Sequence, residues 1–270
     1  TMNHALVSLA CHAYVVAALI YLVYLVRQWD VLAVVGRVLV GTGLVLHGLA
    51  LFGLFGAQGG RPVGMAQGFS TFAFLLLAIF LVVDVRYRRP VMGAFITPLA
   101  VTVLLPGLLL DGGQPLPPDV QRPLLPVHIT IALLGVAASA VAAGVAGMYL
   151  LMERQVKGKR FGLLFARLPS LEFLDTLNRQ LVVVGFIALS VTLVTGAFFS
   201  SAAPGFFWAW QSKQIATLLA WVVFAALISA RFMGGWRGRR VALLTMTGFG
   251  LLLLCFLSSY DFTHLAGGWR

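Results

Sequence analysis

The run LVVVGFIALSVTLVTGAFF, residues 181–199, holds no charged residue. A helix rises 1.5 Å per residue, so about 20 apolar residues cross a hydrocarbon core of about 30 Å. Eight stretches of this kind divide the chain: 5–26, 33–56, 65–84, 91–110, 124–152, 178–200, 207–231 and 240–258. None alternates apolar and polar residues with the period of two that a membrane β-barrel requires. The expected fold is therefore an all-α integral membrane protein, a bundle of eight transmembrane helices forming one membrane domain over 1–270. Composition agrees, with 60% hydrophobic and 10% charged residues in a chain of 270. A soluble domain carries about a quarter charged residues. The first span follows TMNH, with neither a basic leader nor a small-residue cleavage pattern, and reads as a retained helix. No internal repeat is visible, so the signature of inverted-repeat transporters is missing.

The net charge of +11 is unevenly placed. Arg27, Arg37, Arg86, Arg88, Arg89, Arg154, Lys157, Lys159, Arg160, Arg167, Arg179, Arg231, Arg237, Arg239 and Arg240 fall in or beside alternate connections. The remaining connections and the C-terminus hold Arg61, Arg122, Lys213 and Arg270. The positive-inside rule assigns the first group to the cytoplasm and both termini to the outer side, periplasmic in a bacterial inner membrane. The surplus is thus a topology signal, and nucleic acid is not among the expected partners. Membrane lipids are.

Cys11 and Cys255 lie in apolar spans without a CxxC or CxxCH pattern, so covalent haem attachment to this chain and thiolate metal sites are not expected. The informative polar groups are the histidines, because ionisable side chains inside a membrane are costly. Counting along the helices places His4 and His264 outside, His12 and His47 two to three turns below the outer surface, and His128 at the outer mouth of the fifth span. None falls in a basic loop. Acid–base catalysis would need a carboxylate nearby, and the outer acids, Asp111, Asp119 and Asp261, lie in loops. No HExxH or related zinc pattern occurs. Haem iron takes axial imidazoles from different helices at any sequence spacing, and His47, His128, His264 and His12 are the candidate ligands for haem b. The segment PGFFWAWQSKQ supplies Phe206, Phe207, Trp208 and Trp210 as walls for a flat macrocycle, and Lys213 as a partner for a propionate. The same rings suit an interfacial aromatic belt, and composition does not separate the two.

At these residues the chain resembles the cytochrome c assembly proteins of the CcsA and CcmC type, whose tryptophan-rich WWD segment, WGxxWxWDPKE, is external and flanked by histidines. PGFFWAWQSKQ keeps Gly205, Trp208, Trp210 and Lys213 at matching spacing, and has Pro204, Gln211, Ser212 and Gln214 where the pattern has Trp, Asp, Pro and Glu. The degenerate segment spans 201–215. His128 in VHITIALLG and His264 after the last span are similar to the family's two external histidines, and His47 in LVLHGLALFGLF to an early membrane histidine of the HemX and YpjD-like branch. The resemblance implies a non-catalytic haem b protein acting in haem handling or in regulation of haem biosynthesis, with glutamyl-tRNA reductase as a cytoplasmic partner. A haem exporter, or a synthesis component delivering haem to apocytochrome, is the alternative it implies. A transporter without haem is a third reading, and the lack of charged residues in mid-span speaks against ion transport. The inner loop 153–177 is the longest, and PSLEFLDTLNR within it begins like an amphipathic helix with Ser170 as N-cap. It is suited either to a partner or to an anionic lipid surface.

Overall fold

The computed structural model describes residues 2–57, 64–109, 125–159, 162–200 and 212–258. The described residues are helical throughout, with no strand: α1 Met2–Arg27, α2 Asp30–Ala57, α3 Gly64–Tyr87, a 3-10 turn Pro90–Met92, α4 Gly93–Leu109, α5 Leu125–Lys157, α6 Leu163–Arg167, α7 Leu171–Ser200, α8 Ser212–Phe232 and α9 Arg239–Ser258. Six of these helices are long and apolar enough to cross a membrane, namely α1, α2, α3, α4 with its preceding turn, α5 and α7. In α8 the apolar segment is the shorter Thr217–Phe232. The outward faces are apolar as well, with Phe52 at 80% exposure and Val82 at 68%, which suits lipid and not water.

The most buried of the spans is α5, with 61% of its apolar window enclosed, against 28% for α2. Its sequence explains this position. Ala137, Ala138, Ala140, Ala142, Ala143 and Ala146 are all buried, and side chains this small let neighbouring backbones approach closely. Packing of this kind sets α5 against α7, α9 and α3. The α1–α2 pair uses the same device with larger partners. Tyr14 and Tyr21 of α1 are fully buried against Gly43 and Gly36 of α2, and Gly93 closes over the second face of the Tyr21 ring.

Polar contacts tie the basic ends of the helices together. Arg37 donates to buried Asp84 at 2.9 Å, joining α2 to α3. The Tyr87 hydroxyl donates to Gln180 at 2.6 Å, and Arg89 lies over the Phe173 ring. Arg231 of α8 reaches Asp175 and Asn178 of α7 at 3.2 and 2.9 Å, while Thr245 of α9 donates to Asn178 at 3.3 Å. The alternate connections grouped by charge in the sequence therefore lie at one end of the bundle.

The expected span from 178 begins earlier than the sequence suggested. The amphipathic segment and the span form one continuous helix, α7, starting at Leu171. Ser170 caps it, its side chain accepting from the Phe173 backbone N–H at 3.3 Å and its carbonyl from Leu174 at 3.0 Å. Within 153–177 the structure thus places the end of α5, the short α6 and the first turns of α7.

Candidate functional site

His47 lies inside the α1–α2–α3 packing and is fully buried. An imidazole in such a place needs partners at both nitrogens. Its Nε2 is 2.8 Å from Ser70 Oγ on α3, and its Nδ1 is 3.4 Å from the Tyr14 hydroxyl on α1. Either neutral tautomer satisfies both contacts, because each hydroxyl can donate or accept. Phe74 meets the ring edge-on at 5.6 Å. For Nε2 to hold an iron, the Ser70 hydroxyl must yield that position.

His128 is built differently. It stands in the first turn of α5 and is half-buried against α7. Its Nδ1 is 2.6 Å from Thr195 Oγ1. The Thr195 hydroxyl also reaches the Val191 carbonyl at 2.7 Å. With its hydrogen given there, it accepts from the imidazole Nδ1. A partner on one ring nitrogen fixes the orientation of the ring, as it does around metal-binding histidines. Imidazole is a donor that haem iron takes.

His12 does not join either group. It is exposed on α1, and its Nδ1 turns back to the Ser8 carbonyl at 2.7 Å on its own helix. The face of α1 that meets His47 is carried by Tyr14 instead. Lys213 stands in the first turn of α8. Phe206, Phe207, Trp208, Trp210 and His264 lie outside the described residues. Among the described residues no three His, Cys, Asp or Glu side chains converge as a metal site.

The sequence reading missed Ser70, Tyr14 and Thr195, the three hydroxyls within hydrogen-bond reach of the histidine rings. Thr195 carries a weak signal, since a threonine late in an apolar helix is a ready partner for a polar group on its neighbour.

The chain matches the family model described as cytochrome C assembly protein over residues 6–264. Its relatives include the cytochrome c biogenesis protein CcsA of Synechococcus sp. (strain JA-3-3Ab), 30% identical over 55% of this chain and 58% of that one. The CcsA of Microcystis aeruginosa is 26% identical over 80% of this chain and 82% of that one. For Thermosynechococcus vestitus CcsA the figures are 26%, with 85% of each chain covered. The fold is similar to that of the solved structure of Cytochrome c Heme Lyase CcmF, with a TM-score of 0.68 at 15% identity, over 96% of this chain and 48% of that one. The chain thus spans about half the length of that structure and a little over half of the first Synechococcus relative. These relatives are cytochrome c biogenesis proteins, and none of them carries forward the HemX-type regulatory reading or the glutamyl-tRNA reductase contact.

Proposed function

Since the chain belongs to the cytochrome c assembly protein family, we propose that it handles haem b for cytochrome c biogenesis, holding it at the end of the bundle opposite the arginines. The observation that carries this reading is the Nδ1 contact of His128 with Thr195, which orients an imidazole at the mouth of α5 and α7. In this reading His128 and His264 would hold the haem, Trp208, Trp210, Phe206 and Phe207 would pack against it, and Lys213 would pair with a propionate. When bound, haem would supply an iron that accepts imidazole nitrogen. The chain's own part is to orient His128, exclude water with its apolar helix ends, and keep the ring aligned. We assign no catalytic residue. His47 is a membrane histidine held by hydroxyls and would take iron only after Ser70 moves.

The same reading gives the protein eight transmembrane helices, the basic end in the cytoplasm, and a place in a bacterial cytoplasmic membrane. Absorption spectra of the purified protein, before and after addition of haemin, test the haem assignment. A Soret band with the sharp visible bands of low-spin bis-imidazole haem is expected. His128→Ala should abolish the low-spin signature, Thr195→Val should weaken haem retention by about 10- to 100-fold, and His12→Ala should leave the spectrum unchanged. A wild-type protein that takes up no haem overturns the proposal.

A further inference from the structure

At the basic end, far along α7 from His128, a cleft of about 560 Å³ opens between α7, the end of α8 and the α8–α9 connection. Small-molecule sites occupy roughly 300–1,000 Å³. One face of α7 brings Glu172, Asp175 and Arg179 to it, α8 brings Arg231, and the connection brings Trp236 and Arg237. A second recess of about 440 Å³ shares Trp236 and Arg237 and adds Arg239 and Arg240. Together the two recesses carry five arginines against two acids, a surplus of three positive charges.

The positive charge is not self-neutralised. Arg231, whose side chain is 4% exposed, is paired with Asp175 and bonded to Asn178, yet its Nε is buried without a partner. Arg179 and Arg237 are exposed and enter no salt bridge among the described residues. The connection is held in shape. Gly235 and Gly238 adopt left-handed backbone at φ 60° and 76°, which a side chain would oppose. The Trp236 backbone N–H donates to the Ala230 carbonyl at 3.0 Å, and the Gly238 N–H to Asp175 at 3.4 Å. Phe232, which lines the cleft, is 66% exposed, and Met233, the next residue in the chain, is 89% exposed, where the apolar helix ends. Apolar rim, interfacial tryptophan and unpaired arginines suit one ligand chemistry, a phosphate carried on a lipid.

We propose that this recess binds the phosphate headgroup of an anionic membrane lipid, taken between Arg179 and Arg237 over the floor made by the Arg231–Asp175 pair, with the lipid's apolar part against Phe232 and Met233. The test is native mass spectrometry of the full chain in neutral detergent, titrated with dioleoyl phosphatidylglycerol or with dioleoyl phosphatidylcholine. One tightly held phosphatidylglycerol is expected, preferred about tenfold or more over phosphatidylcholine. The paired change Arg179→Gln and Arg237→Gln should remove the preference, while Arg179→Lys and Arg237→Lys should keep a part of it. Both residues are exposed, so an unchanged melting transition confirms that the variants fold. Equal retention of the two lipids, or a preference untouched by the glutamine variant, overturns the site. Displacement of phosphatidylglycerol by millimolar inorganic phosphate overturns the lipid as occupant. The haem spectrum reads the other end of the molecule and separates failure here from failure of the haem assignment.

Discussion

Asp84 accepts from Arg37 through Oδ2, while its buried Oδ1 has no hydrogen-bond partner. A carboxylate so placed depends on the one guanidinium. Arg37 is 31% exposed, so removing it leaves a charge buried against Tyr21, whereas removing the charge of Asp84 leaves Arg37 a route to solvent or headgroups. Arg37→Ala should therefore cost about 3 kcal/mol, the low end for breaking a buried pair, and Asp84→Asn clearly less. Thermal unfolding of both variants in one detergent decides it, and the reverse order would show that the buried Asp84 carboxylate does not depend on Arg37. The two residues were legible as members of the basic end, since Arg37 interrupts VLAVVGRVLVG and Asp84 closes LVVDV. Their pairing was not, because charge patterning along a chain says which end a residue occupies and nothing about partners 47 positions apart.

Helix packing turns on which glycines meet a ring. A Cβ at Gly93 would stand 2.6 Å from Tyr21 Cγ, and one at Gly43 would collide with the Tyr14 ring, while at Gly41 nothing lies within 4 Å. Gly93→Ala and Gly43→Ala should each cost about 1–3 kcal/mol through overpacking. Gly41→Ala should be neutral or stabilising by up to about 1 kcal/mol, because alanine is the better helix former. Gly43→Ala has a second readout. Tyr14 must move, and its contact to His47 moves with it, so any haem held through His47 would change its spectrum in this variant and not in Gly93→Ala. Spacing on one helix does not reveal which of Gly41 and Gly43 faces a neighbour, and here Tyr14 of α1 makes the choice. The start of α7 was legible in PSLEFLDTLNR with Ser170 as its cap, but its continuity with the span from 178 was not. Glu172, Asp175 and Arg179 separate the two in sequence, and Asp175 is satisfied by Arg231, a partner from another element.

Over the whole molecule, charge and imidazole separate to opposite ends. Arg167 donates to the Val26 carbonyl at 3.2 Å, and Arg231 holds Asp175, so the ends of α1, α7 and α8 share the basic side. His128 and Thr195 mark the other side, where α5 begins and α7 ends. This polarity follows from apolar run lengths and loop charges alone, because a helix that crosses must return its next connection to the opposite side. Which way each histidine faces did not follow so directly, since His12 and His47 sit on neighbouring helices yet are exposed and buried respectively. The polarity predicts a topology that chemistry can read. Met233, 89% exposed, stands at the basic end, and Leu109, 79% exposed, ends α4 on the other. In a background of Cys11→Ala and Cys255→Ala, Leu109→Cys should react with a membrane-impermeant maleimide in intact spheroplasts, and Met233→Cys only after the membrane is opened. The positive-inside rule requires that order. The opposite order would put the arginines outside and His128 in the cytoplasm, and would overturn the orientation proposed for the chain.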